Sequence, residues 1–261
     1  LGTDLQKLAI LVLLKSTNKH PQQPKHMKSK ITLFLSFISI VAIGAVLLVG
    51  CAKQPSSDVN QAKIFASYEL FYDRNEDATY ANATFKFGNA FGTALQLSSP
   101  ATIKFNGQPI PFNNVLAYYS LKMAGFVNGG TFEYKDLTPT VYTNTISNIK
   151  TQAFPLLMDS IKKSNAFTLT WIGDTLRPNE AVNVWIGANT SAALSGTLWI
   201  QYLQGSTNVI LDANKLTALA INGPAVSVMD RYMQTNALQV TSVGGTIKST
   251  YRAMNKNIHL Y

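Results

Sequence analysis

Residues 64–87 read IFASYELFYDRNEDATYANATFKF, and the alternation within them decides the fold. Ile64, Ala66, Tyr68, Leu70 and Tyr72 share one parity. After the polar run Arg74-Asn75-Glu76-Asp77, a second set, Ala81, Ala83, Phe85 and Phe87, opposes Asn82, Thr84 and Lys86. Successive side chains of an extended strand point to opposite faces, so a period of two with one apolar parity marks a half-buried strand. Two such strands with a short polar turn between them make a hairpin. The turn from Asp73 to Thr79 spaces its oxygen side chains like the first half of a calcium loop. However, Ala78 stands where that loop needs glycine and Thr84 where it needs a bidentate glutamate, so it reads as a solvated turn.

Outward from this hairpin the signature recurs. Leu95 and Leu97 suggest a third strand, and Ile103 and Phe105 a fourth that ends at Asn106-Gly107, a pair suited to the positive φ angles of a tight turn. VLAYYSLKM (115–123), a Gly129-Gly130 break, TFEYKD (131–136) and TVYTNTI (140–146) follow. Short strands with frequent turn signals are the pattern of a β-sandwich. Between Ser147 and Ser164 the alternation weakens, and a domain boundary is placed near residue 146; the run after Pro155, LLMDSIKK, fits a short helix or a strand and turn. Beyond it Phe167, Leu169 and Trp171 alternate with threonines, Gly173-Asp174 and residues 177–180 turn the chain, and Val182, Val184 and Ile186 share a face. Leu198, Ile200 and Tyr202, then residues 209–211, 226–232 and 246–252, supply further strands. Asp212 is placed to cap a single helical turn, the sort of crossover that links the sheets of an immunoglobulin-like sandwich. The expectation is an all-β chain with two immunoglobulin-like antiparallel β-sandwich domains, residues 61–146 and 147–261.

Upstream, residues 28–51 read KSKITLFLSFISIVAIGAVLLVGC: two lysines, twenty uncharged and mostly apolar residues, and a close on Leu48-Val49-Gly50-Cys51. This is the layout of a bacterial secretory signal. Its ending resembles the lipobox of bacterial lipoproteins, in which the cysteine is acylated and the chain is cut before it. The chain has one cysteine, and it stands at the position that motif requires. The rival reading is an uncleaved anchor, since about twenty apolar residues span a bilayer. The resemblance implies a signal peptide at 27–50, lipidation of Cys51 and attachment to a membrane through that lipid; the short polar run that follows, with Pro55, reads as a flexible tether at 51–60. Residues 1–26 open on Leu1 and precede Met27, so they are expected to be an over-extended start. By analogy with enterobacterial lipoproteins, Ala52 in place of aspartate points to the outer membrane.

Composition narrows the chemistry. The net charge is +9, but six lysines against Asp4 in the first fifty residues carry +5 of it, leaving 16 basic and 12 acidic residues scattered through the remainder. That balance argues against nucleic acid, which needs a concentrated basic face. Of three histidines only His259 follows Cys51, and with Cys51 acylated no thiol remains for a disulfide, a zinc site or a nucleophile. A Ser-His-Asp triad would have to recruit a histidine three residues from the end, on a segment that usually frays. The reading is therefore not an enzyme, with no cofactor and no metal.

The lipobox together with YELFYDRNEDATYANATFKFGNAFGTALQLSSPATIKFNGQPI (68–110) resembles the immunoglobulin-like lipoproteins of the Bacteroidota envelope. The resemblance implies fold and location and carries over no site residue. Asp159-Ser160-Ile161 and Asp174-Thr175-Leu176 resemble the O-glycosylation acceptor of that phylum. Parity supplies the remaining clue. Trp185 opposes Val182, Val184 and Ile186, and Trp199 opposes Leu198, Ile200 and Tyr202. If the aliphatic residues fill the core, both indoles face outward as a ligand-binding pair, whereas Trp171 shares its parity with Phe167 and Leu169 and belongs to the core. Tyr118 and Tyr119, being adjacent, must face opposite ways. The expected function is a lipid-anchored envelope binding or structural adaptor protein acting through protein–protein contacts, the alternative being a glycan-binding lipoprotein using Trp185 and Trp199.

Overall fold

Strand backbones must find hydrogen-bond partners, and in this chain most of them find each other in one sheet. The computed structural model describes residues 53–188 and 196–261. The segments 1–26 and 27–50, and Cys51, lie outside the described residues. The principal strands are β1 (Ile64–Asp73), β2 (Ala78–Phe87), β3 (Thr102–Phe105), β4 (Tyr118–Ala124), β5 (Gly129–Lys135), β6 (Val141–Ser147), β7 (Phe167–Thr170), β8 (Glu180–Ala188), β9 (Gly196–Gln201), β10 (Asn208–Leu211), β11 (Gly223–Asn236), β12 (Gly245–Arg252) and β13 (Lys256–Leu260), with one short α-helix among the described residues, α1 (Ala213–Ala218). Among the described residues no helix is long and apolar enough to cross a membrane.

The fold is an all-β sandwich. The opening hairpin forms as its alternation dictates: Ile64, Ala66, Tyr68, Leu70 and Tyr72 of β1 and Ala81, Ala83 and Phe85 of β2 are buried, and β1 pairs antiparallel with β2 along its whole length. A second sheet, β6-β5-β3, covers them. Tyr68 stacks on Phe132 with ring centroids 5.2 Å apart, and Phe85 meets Tyr134 at 4.6 Å. The turn after β3 has Asn106 and Gly107 at φ 48° and 80°, as the Asn-Gly pair requires. Asn144, buried on β6, accepts from the backbone of Leu238 and Gln239 and donates to the Gln239 carbonyl, tying this second sheet to the turn between β11 and β12.

In the second half, β7 with β10 and the pair Gln152–Ala153 with Ile172–Gly173 lie over β8 and β11. Leu169, Trp171, Val209 and Leu211 are buried with Val182, Val184, Ile186 and Met229. Asp212 caps α1 through the Lys215 backbone N–H at 2.9 Å. The run after Pro155 is a turn and the two-residue strand Ser160–Ile161, not a helix. The final segment is not frayed: β13 pairs with β11, and His259 is an exposed residue within it.

Two expectations need correction. The boundary near residue 146 divides neither sheet nor core. Ser67 of β1 lies opposite Thr246 of β12 in a parallel pairing that runs from Ala66–Gly245 to Asp73–Arg252, so the central sheet runs β2-β1-β12-β11-β8-β9 through both halves. One hydrophobic cluster likewise draws residues from both. Parity and turn signals are local, and a pairing across nearly two hundred residues leaves no trace in them. The segment expected as a tether, 51–60, is ordered where it is described: Gln54–Pro55 pairs parallel with residues 95–96, and buried Ser56 accepts from the Ser98 backbone.

The loop at 174–177 is fixed to the sheet by a buried ion pair. Arg231, inward-facing on β11, donates to the carbonyls of Asp174 and Thr175 at 2.8 and 2.7 Å and to Glu180 Oε2 at 2.6 Å. Glu180 also accepts from the Arg177 backbone and from its Nε, at 2.7 and 2.8 Å. Removing one partner strands a buried charge, so Glu180→Ala is expected to lower unfolding stability in urea by about 3–5 kcal/mol. Burial by itself would raise the Glu180 carboxyl, but hydrogen bonds from Arg177 and Arg231 outweigh it and hold the group below its ordinary value of 4.5. A depressed folded pKa stabilises the fold fully above that ordinary value, and the contribution is lost as pH falls through the lower folded value. Acid titration of Glu180→Gln should show this part of the pH dependence flattened.

Candidate functional site: the outer face of the central sheet

The residues of opposite parity to the core form the solvent side of the central sheet, and register decides which of them meet. Glu69 lies opposite both Lys248 and Asn82, Phe71 opposite Tyr80 and Thr250, and Arg252 opposite Asp230. Lys248 Nζ sits 3.0 Å from Glu69 and over the Tyr232 ring at 5.3 Å, while Thr250 donates to Glu69 at 2.8 Å. Arg252 grips Asp230 with Nε and Nη2, each at 2.8 Å, and its guanidinium lies 5.0 Å over Phe71. The hydrogen bonds that Arg252 donates to the Asp230 carboxylate drive the Arg252 pKa above its usual range. Phe71 stacks on Tyr80 at 6.0 Å; Tyr80 donates to Glu76, which also pairs with Lys122 at 2.9 Å. Hydrogen bonds from Tyr80 and Lys122 hold the Glu76 carboxyl below the usual carboxylate range. Across this face, then, each of these charges has a partner, and aromatic rings lie between the pairs.

The predicted tryptophan pair does not form. On β9 the parity is reversed: Trp199 is buried, at 3 % exposure, while Leu198 and Ile200 are 44 % and 50 % exposed. Register accounts for the geometry. Trp199 lies opposite Val184 and faces the core, and Trp185 lies opposite Leu198 and faces out, so the two indoles occupy opposite sides of the sheet. Trp199 Nε1 donates to Asp212 Oδ2 at 3.0 Å. The Lys215 backbone and this indole hold Asp212 below the usual carboxylate range. Trp171 is buried as expected, with Nε1 donating to the Asp174 carbonyl at 3.2 Å, and of the adjacent tyrosines it is Tyr119 that is buried. The oxygens of the calcium-like turn are engaged within the protein: Asp73 accepts from Asn75, and Asp77 from Tyr72. Ser160 and Thr175, the acceptors of the two glycosylation-like tripeptides, are exposed.

Trp185 has a local reason to lie where it does. Gly187 and Gly196 face each other across β8 and β9. A Cβ on either would collide with the indole, with Cη2 and Cζ2 at Gly187 and with Cε2 and Nε1 at Gly196. The ring therefore lies flat across the glycine pair with one face toward the backbone. With Asn183, Leu198, Val228, Asp230 and Arg252 it lines a shallow depression of about 290 Å³. The Asn183 side-chain oxygen there has no partner among the described residues. Sequence reasoning missed Asn183, Asp230 and Arg252; the Gly187 and Gly196 flanking an outward tryptophan were the available signal.

No protein-family model and no curated protein sequence matches the chain.

The indole's seat is testable. Gly187→Ala should lift Trp185 off the sheet, shifting tryptophan emission to the red and costing about 1–3 kcal/mol of stability as an overpacked site does; unchanged emission would show that the ring is not held there.

Proposed function

We propose that this chain is a lipid-anchored protein of the bacterial outer membrane, not an enzyme, that works as a binding or structural adaptor through protein–protein contacts on the outer face of its central sheet. The observation that carries this reading is the face itself. Strands from both halves present it in one rigid register, so little ordering cost is added on binding. Its charges are already paired, as Glu69–Lys248, Asp230–Arg252 and Glu76–Lys122, so a partner need not neutralise bare ions. Phe71, Tyr80, Tyr232 and Trp185 supply the aromatic area in which interfaces are enriched. The lipobox-like ending at Cys51 and the resemblance to Bacteroidota lipoproteins support the anchor and the envelope location.

The depression beside Trp185 favours a second reading, glycan binding, in a form that uses Trp185 without Trp199. A flat indole can take the C–H face of a sugar ring, while Asp230, Arg252 and Asn183 lie within reach of its hydroxyls.

Photo-cross-linking separates the two. A benzophenone side chain at Tyr232, carried by the full chain in cells, is expected to give one discrete protein adduct that disappears on Phe71→Glu. Saturation-transfer NMR with methyl glycosides of glucose, galactose, mannose and N-acetylglucosamine, abolished by Leu198→Arg, would favour the glycan reading instead. Absence of both signals would overturn the assignment of this face.

A further inference from the structure

The described fold begins at Lys53, two residues after Cys51, and the surroundings of that point differ from the polar outer face. Because Gln54 lies opposite Leu95 in a parallel pairing, Lys53 emerges at the end of the sheet where β2 passes into the turn at 88–93. Lys53 Nζ donates to Asn114 at 2.8 Å and lies 4.9 Å over the Phe112 ring, which brings the turn at 113–117 to the same end. A third turn, at 237–244, is held there as well. Thr241 donates to the Ile64 carbonyl at 2.7 Å and Ser242 to the Ala62 carbonyl at 2.6 Å, and Ile64 lies opposite Phe87.

Each of the three turns exposes a large apolar side chain: Phe91 at 96 %, Val115 at 91 % and Leu238 at 93 %. None of the hydrogen bonds that shape these turns requires an apolar residue at those positions. Basic groups accompany them. Lys63 is exposed beside the turn at 88–93, where its carbonyl accepts from Gly88 at 2.7 Å, and Lys86 donates to the Ala90 carbonyl within that turn, against Asp58 in the adjoining 3-10 turn. Two residues of extended chain reach at most about 7 Å, so a lipid on Cys51 would hold this end against the bilayer.

We propose that these three turns form the surface on which the protein rests on the lipid bilayer, with Phe91, Val115 and Leu238 in the interfacial layer and the lysines at the level of the phosphates. The inference rests on the Cys51 anchor. A single lipid site fixes position but leaves orientation free, and a second, weaker contact of apolar and basic groups fixes orientation. The strands then rise from the membrane and the outer face stands to one side of it, open to a partner.

The test uses the full chain as processed in the cell, reconstituted into vesicles of phosphatidylethanolamine and phosphatidylglycerol. Acylation leaves no free thiol at position 51, so a bimane fluorophore can be placed at Phe91→Cys, Leu238→Cys or the control Leu157→Cys. Leu157 is equally exposed, at 94 %, but adjoins Leu156, whose carbonyl accepts from Lys256 near the opposite end of β12. Nitroxide-labelled lipid is expected to quench the fluorophore at 91 and 238 at least about threefold more than at 157, and the double substitution Phe91→Glu, Val115→Glu to abolish quenching at 238 while the chain stays with the vesicles. Quenching equal at all three sites, in a chain that co-sediments and shows the acyl mass, would overturn the docking surface and leave the anchor standing. A chain with neither acyl mass nor co-sedimentation would overturn both. Coverage of these turns by residues 1–50 would appear as protection from the lipid probe at 91 and 238, and would likewise overturn the proposal.

Discussion

The parallel pairing of β1 with β12 is the constraint on which the rest of the structure depends. Both strands start at one end of the molecule and run the same way, from Ala66 beside Gly245 to Asp73 beside Arg252. An antiparallel neighbour could have been supplied by a hairpin, whereas a parallel one needs a long connection. Here everything between residues 74 and 244 serves as that connection. The pairing makes the outer face continuous, placing Glu69 beside Lys248 and Phe71 beneath Arg252. It also aligns the turn at 237–244 with the start of β1 and with Lys53, so one register sets both the polar face and the apolar end.

The elements legible in the sequence are those in which a single parity is apolar. On β1 and β2 the apolar set and the polar set are cleanly separated, and burial follows them. On β9 they are not: Leu198, Trp199 and Ile200 are all apolar, so alternation alone assigns no face. Taking the aliphatic residues as the core face assigns the wrong one. The deciding facts are tertiary. Trp199 has an acceptor for its indole N–H in Asp212, and burying a donor without one would be costly. Asp212 is legible as a helix cap, but that its second oxygen serves Trp199 is a tertiary contact that no local pattern encodes.

The supposed tether is a related case. AKQPSSDVN is short and polar, and by composition alone it reads as a flexible tether. In the fold its polar groups have specific partners: Ser56 Oγ with the Ser98 backbone, the carbonyls of Ser56 and Val59 with the adjoining Gln61 side chain, and Asn60 with the Ala62 backbone. Serine and asparagine side chains can substitute for backbone partners where a strand ends, so a polar segment can be as well anchored as an apolar one. The buried pair of Glu180 and Arg231 was illegible for a similar reason. Both look like surface residues by type, and only the closing of the loop at 174–177 over β11 puts them inside.

Trp185 shows how a structural role can account for an outward-facing indole. Two glycines facing each other on adjacent strands leave a bare strip of backbone, and an indole laid across them restores the buried apolar area that side chains would have supplied. That is sufficient reason for the ring's position. Yet holding the ring flat also turns its other face away from the backbone, beside a carboxylate and guanidinium that are locked to one another and an amide oxygen that has no partner among the described residues. A locked ion pair carries little net charge, so the depression is set apart by its shape and hydrogen-bonding groups and not by a bare ion. The same logic extends along the face to Glu69 and Lys248: by pairing its ions internally, the sheet presents a surface that can be covered without stranding a charge.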